Sequence, residues 1–92
     1  MKYSIRETKS FKKGLKRMMK RGKSRQKIME VISLLAKGET LPPQYHDHPL
    51  IGDRLGYRDC HIENDWVLIY AIKNDILILT LTDTGTHSDL GL

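Results

Sequence analysis

Residues 57–82, YRDCHIENDWVLIYAIKNDILILTLT, decide the fold. Three candidate strands (57–62, 66–72 and 76–82), the second rich in aromatic and β-branched residues, are separated by Glu63-Asn64-Asp65 and Lys73-Asn74-Asp75. Short links of Asn and Asp between such runs predict hairpins, so these three strands form an antiparallel meander. Upstream, residues 39–56 hold Pro42, Pro43, Pro49, Gly52 and Gly56 and read as loop, with a short extended piece at 48–50. Further upstream the period changes. Phe11, Leu15, Met18 and Met19 share one helical face after a cap at Thr8 or Ser10, and Gly22 ends that helix. Ser24 opens a second helix with Ile28, Val31, Ile32 and Leu35 on one face, closed by Gly38. Residues 1–5 read as a short strand, in which Tyr3 and Ile5 alternate with Lys2 and Ser4. The expected architecture is α+β: one domain over residues 1–92, an N-terminal helical hairpin packed on one face of a twisted antiparallel β-sheet. The other face is left at least partly open, a natural place for a site.

Charge divides the chain. Residues 1–37 carry thirteen Lys and Arg against two Glu, a net of +11; residues 38–92 carry three basic and nine acidic residues, a net of −6. Either a solvated helix face or a surface for nucleic-acid phosphates has this form. Lys12, Lys13, Lys16, Arg17, Lys20, Arg21 and Lys23 are too many for one active site and suit the backbone of ribosomal RNA. The densest apolar segment, 76–81, is interrupted by Thr80 and is far too short to span a bilayer. The start MKYSIRETKSFKKG has no apolar core of a secretory signal, and the single Cys60 has no partner for an internal disulfide. The expectation is a cytoplasmic protein with no membrane partner.

All four histidines, His46, His48, His61 and His87, lie in the acidic half. Taken singly, each is an ordinary surface histidine. Together they occupy a loop, a strand end and the tail after the last strand, which a meander brings into one region. Imidazole gives or takes a proton near neutral pH. A ribonuclease that uses no metal needs a base for the ribose 2′-OH, an acid for the leaving 5′-oxygen and donors for the phosphorane-like transition state. Asp65, across a turn from His61, could orient a ring and raise its pKa. Arg58 is three residues from His61 and so points to the opposite face of a regular strand. A metal held by His46 and His48 with His61 or Asp47 is the rival use, but no Cys supports it and Pro49 disfavours a strand there. Trp66 is either a core residue or a platform for a stacked base. Cys60 reads as a buried strand residue.

Four blocks carry a resemblance: His46-Asp47-His48-Pro49-Leu50 with Gly52, Gly56-Tyr57-Arg58-Asp59-Cys60-His61, Asp65-Trp66-Val67-Leu68-Ile69-Tyr70, and Thr84-Gly85-Thr86-His87-Ser88-Asp89-Leu90. In order and spacing the chain resembles the YafQ branch of the RelE/ParE toxins. The resemblance implies a RelE-like microbial ribonuclease fold and endonucleolytic cleavage of mRNA at codons in the A site of the 70S ribosome, with no metal or other cofactor. It implies a cognate antitoxin, expected to be acidic and partly disordered when free. His48, His61, Asp65 and His87 match the catalytic group, and Trp66 matches a residue of the same region, with Arg58 a further candidate for substrate contact. His46 has no assigned role, and which histidine is base and which is acid stays open. Two positions depart from the pattern. Asp83 stands where relatives often have arginine, and Leu90-Gly91-Leu92 lacks the usual phenylalanine. The competing readings are a ParE-like toxin that poisons a protein target such as gyrase, and a non-catalytic module that binds RNA or ribosomes.

Overall fold

The computed structural model describes residues 1–92. β1 (Ser4–Glu7) leads into α1 (Lys9–Lys20), where the Thr8 hydroxyl accepts from the Phe11 N–H at 3.0 Å and so satisfies one free donor of the first turn. α2 (Arg25–Ala36) follows after the turn at Gly22. A two-residue β2 (His48–Pro49) lies between two 3-10 turns, and then come β3 (Arg58–Glu63), β4 (Trp66–Lys73), β5 (Ile78–Gly85) and the short α3 (His87–Leu90). No helix is long and apolar enough to cross a membrane.

The sheet order is β1-β5-β4-β3-β2. The meander is antiparallel as expected, but β1 pairs parallel with β5, Ser4 opposite Ile78 and Glu7 opposite Leu81. The sheet is therefore mixed, which corrects the wholly antiparallel expectation. The chain leaves β1 through both helices and enters the sheet at the far edge. Three reversals then return β5 to the side of β1, running the same way.

Both helices cover one face. Phe11, Met18, Ile28 and Val31 pack against Cys60, Trp66, Leu68, Tyr70, Leu79 and Leu81. Each large side chain so buried contributes ~1.5–3 kcal/mol before its ordering cost. α1 sits close on β5: a Cβ on Gly14 would lie 2.1 Å from the Thr84 carbonyl oxygen. On the opposite face Leu50, Val67, Ile69 and Leu90 form a small apolar group.

Two segments differ from the expected bounds. Ile76 and Leu77 are apolar, yet they lie exposed in the turn before β5, with Leu77 at φ 52°. β5 instead runs on to Gly85, and Thr82 is an extra residue between the pairs Ile69–Asp83 and Tyr70–Leu81. The tail is also more ordered than expected. Thr86 and Asp89 cap each other around α3, each side chain accepting from the other's backbone N–H at 3.0 Å.

Candidate active site

Successive residues of a strand point to opposite faces, so β3 sends Asp59 and His61 together to the open face. The edge strand β2 sets His48 opposite Asp59, and its Nε2 lies 2.7 Å from Asp59 Oδ1. His46 ends a 3-10 turn in the left-handed conformation, φ 48°, with its ring centroid 5.4 Å from that of His61. From the other side His87, the first residue of α3, meets His61 edge-on at 5.0 Å. His61 thus neighbours the imidazoles of both His46 and His87, and His48 lies on Asp59 of the same strand.

Asp65 does not serve His61, as expected from sequence, but His87. Its Oδ1 is 2.6 Å from His87 Nδ1 and also accepts the His87 backbone N–H at 2.8 Å. The turn between β3 and β4 carries Asp65 past the strand end and against the first turn of α3. Those two bonds, backbone first, hold the Asp65 carboxyl below its usual pKa. The His61 pKa is lowered from the ordinary histidine value. Burial is the main cause and the nearby His87 the next, with Asp59 pulling the other way and His46 and His48 adding to the fall.

Two expected contact residues lie elsewhere. Arg58 is on the helix-side face, where Nη2 and Nε donate to Asp47 at 3.1 and 3.3 Å. The Tyr70 hydroxyl donates to the same carboxylate at 2.5 Å. Arg58 therefore anchors the loop that carries His46 and His48 and does not join the histidines, as strand alternation requires. Trp66 is fully buried, its Nε1 donating to Thr84 Oγ1 at 2.9 Å, and Thr84 Oγ1 donates in turn to the Val67 carbonyl at 2.7 Å. No face of the indole is available to a base, so Trp66 pins the floor of the site.

The basic residues divide into two groups. Arg21 donates to Asp89 at 2.8 Å with Arg17 at 3.8 Å, while Lys23 and Lys27 hold Glu63 at 2.7 and 2.8 Å. These pairs tie the helical hairpin to α3 and to the end of β3. Lys12, Lys13, Lys16 and Lys20 are exposed on α1.

Two residues of the site, Asp59 and Asp89, escaped the sequence reading, and His46 was named there without a role. Asp59 could have been found, since it lies two before His61 and shares its strand face. Asp89 sits in a Thr86-x-x-Asp89 capping pattern, whose exchange completes only once both residues are placed. No spacing rule marks His46, because the left-handed turn that delivers it is a tertiary feature.

A model of the family described as "Bacterial toxin of type II toxin-antitoxin system, YafQ" matches residues 3–91. The mRNA interferase toxin YafQ of Escherichia coli strain K12 is 41% identical over 81 residues, covering 87% of this chain and 86% of that one. The crystal structure of YafQ from E. coli strain BL21(DE3) superposes with a TM-score of 0.89 at 37% identity, over 96% of this chain and 97% of the other. YafQ in the E. coli DinJ–YafQ complex gives 0.88 at 38% identity, with the same coverage of each chain. The chain belongs to the YafQ family of bacterial type II toxin–antitoxin toxins.

Proposed function

We propose that this protein is the mRNA-cleaving toxin of a type II toxin–antitoxin pair, a single-domain endoribonuclease that acts in the cytoplasm on mRNA in the ribosomal A site. The observation that carries the catalytic reading is the cluster of imidazoles, His46–His61 at 5.4 Å and His61–His87 at 5.0 Å, with Asp65 on His87 at 2.6 Å. The similar E. coli toxin is named an mRNA interferase, and another solved relative is held by its antitoxin DinJ; by that likeness this chain takes mRNA as substrate and a cognate antitoxin as partner. An acidic antitoxin segment, disordered until bound, suits the basic half of the toxin.

The chemistry is an in-line attack of the ribose 2′-oxygen on the adjacent phosphorus. His61 is the base: its lowered proton affinity leaves it neutral at physiological pH, with a lone pair for the 2′-proton. His87, oriented through Nδ1 by Asp65, presents its Nε2 side for protonating the leaving 5′-oxygen. The P–O5′ bond breaks as the P–O2′ bond forms, leaving a 2′,3′-cyclic phosphate and a 5′-hydroxyl. His48, set against Asp59, and His46 supply further donors around the phosphate. The free lysines of α1 draw the protein to ribosomal RNA.

Programmed ribosomes incubated with the toxin and analysed by mapping mRNA ends test this. Cuts confined to the A-site codon are expected. His61→Ala or His87→Ala should slow single-turnover cleavage ~10²-fold or more, the lower end of one proton-transfer group. Wild-type rates in both variants would sink the catalytic reading, and intact mRNA with the unaltered toxin would sink the functional one.

A further inference from the structure

A second feature of the open face lies beside the histidines. A pocket of about 260 Å³ is lined by Arg54, Tyr57, Ile69, Thr82 and Asp83. Its position follows from the sheet register. Ile69 on β4 pairs with Asp59 on one side and with Asp83 on the other, so the three form one row across the sheet. Neighbouring strands lie ~4.8 Å apart, which puts Asp83 ~10 Å from Asp59, near enough for one RNA strand to reach both places. The extra residue Thr82 lets two successive side chains of β5, Thr82 and Asp83, line the same pocket, which a regular strand forbids. Opposite charges stand on the walls, each held by backbone. Asp83 Oδ1 accepts the Thr84 N–H at 2.9 Å, and Arg54 Nη2 donates to the Leu90 carbonyl. Arg54 Nη1 and Thr82 Oγ1 are buried without a hydrogen-bond partner, a deficit that bound polar groups remove.

We propose that this pocket takes a guanine base of the mRNA, close to the scissile phosphate, and makes the toxin selective for guanine at that position. A plain anion is repelled by Asp83 and a plain cation by Arg54. What fits is a flat polar edge with an acceptor beside donors. The pairing edge of guanine carries the acceptor O6 next to two donors, N1–H and N2–H. Alone among the four bases it offers a carboxylate two adjacent N–H groups. Asp83 accepts both, and Arg54, turned outward from its loop, donates Nη1 to O6. Thr82 Oγ1 takes the remaining donor or acceptor role. Tyr57, 38% exposed, offers a ring face for stacking, and Ile69 an apolar floor. Adenine and cytosine present a single donor group and uracil a single N–H, so each leaves the Asp83 carboxylate half unpaired, which is how a polar site rejects a near analogue. The selectivity rests on mRNA being the substrate, as proposed above.

Titration of the isotope-labelled toxin with nucleoside 5′-monophosphates, followed by NMR, tests the pocket without ribosomes or cleavage. GMP should move the Tyr57, Asp83 and Thr84 amides. It should saturate at a concentration ~10-fold or more below that of AMP, CMP or UMP, the discrimination of one bidentate base contact. Asp83→Asn keeps an oxygen for the Thr84 N–H, so it should fold, and it should level the four nucleotides. Arg54→Lys should weaken GMP binding. Equal response to all four nucleotides, or shifts confined to the α1 lysines, would overturn the pocket. On programmed ribosomes, messages changed one base at a time through and just after the A-site codon test the selectivity. Single-turnover cleavage should be ~10-fold faster with guanine at one position, and Asp83→Asn should remove that preference. A guanine preference that survives in Asp83→Asn, or none at any position, would overturn the specificity role. A toxin that cuts no message at all speaks against the proposed function and leaves the titration result standing.

Discussion

Trp66 shows what a residue's type conveys and what it withholds. Its place at the head of a strand was legible, but whether the indole faced solvent depended on a hydroxyl eighteen residues away. With Nε1 on Thr84 and no exposure, Trp66 acts through stability. Trp66→Phe should cost ~1–3 kcal/mol in urea unfolding, since it leaves the Thr84 hydroxyl without its buried donor. Cleavage well below the melting temperature should stay close to wild type, and a large rate loss in a stable variant would contradict the buried role. His87 behaves in the opposite way. It is partly exposed at the start of α3, so His87→Ala should shift stability by no more than about 0.5 kcal/mol while removing cleavage and growth arrest. The four catalytic candidates were named through the resemblance to the family, since residue type alone leaves His46 on the same footing as the other histidines. Their pairing could not be named, because Asp65 reaches His87 and Asp59 reaches His48 only through the register of the folded sheet.

At the level of elements, the helices and the meander were legible because each has its own period and its own turn residues. The parallel pairing of β1, the shift of β5 toward Gly85 and the existence of α3 were not. Each depends on contacts distant in sequence or on a capping exchange that completes only when both partners are placed. One such contact is the close seat of α1 on β5. Gly14→Ala would drive a methyl group to 2.1 Å from the Thr84 carbonyl, and neither helix nor strand backbone yields easily there. The variant should lose ~1–3 kcal/mol by thermal or urea unfolding, and a wild-type melting curve would show that the seat is loose. Another is the tie between α1 and α3. Arg21, and then the Thr86 N–H, hold the Asp89 carboxyl far below the ordinary carboxylate range. A depressed folded pKa means that the tie is complete above the unfolded value, near ~3.9, and is lost only as pH falls through the lower folded value. The Thr86 amide shift followed by NMR should therefore stay constant down to that range and move only in stronger acid. The Asp89 side-chain carboxyl carbon reports the same titration directly, and its protonation step at or above the unfolded value would refute the tie.

For the molecule as a whole, charge is the property read most directly from composition, and the structure refines it. Of the seven basic residues singled out, Arg17, Arg21 and Lys23 hold carboxylates, and Lys12, Lys13, Lys16 and Lys20 remain exposed on α1. Replacing those four with Gln should flatten the salt dependence of ribosome binding, because each lost phosphate contact lowers the counterion slope by ~0.9 or less. The single-turnover rate at saturating toxin should hold. An unchanged slope would make the lysines a solvated face. The pairing of β1 with β5 has a consequence of another kind. Strand 4–7 is made long before 78–85, its only sheet neighbour. Until that neighbour emerges, the sheet has no closing partner and His87 has not reached its aspartate. A growing chain therefore cannot close its sheet at β1 until residues 78–85 have been made.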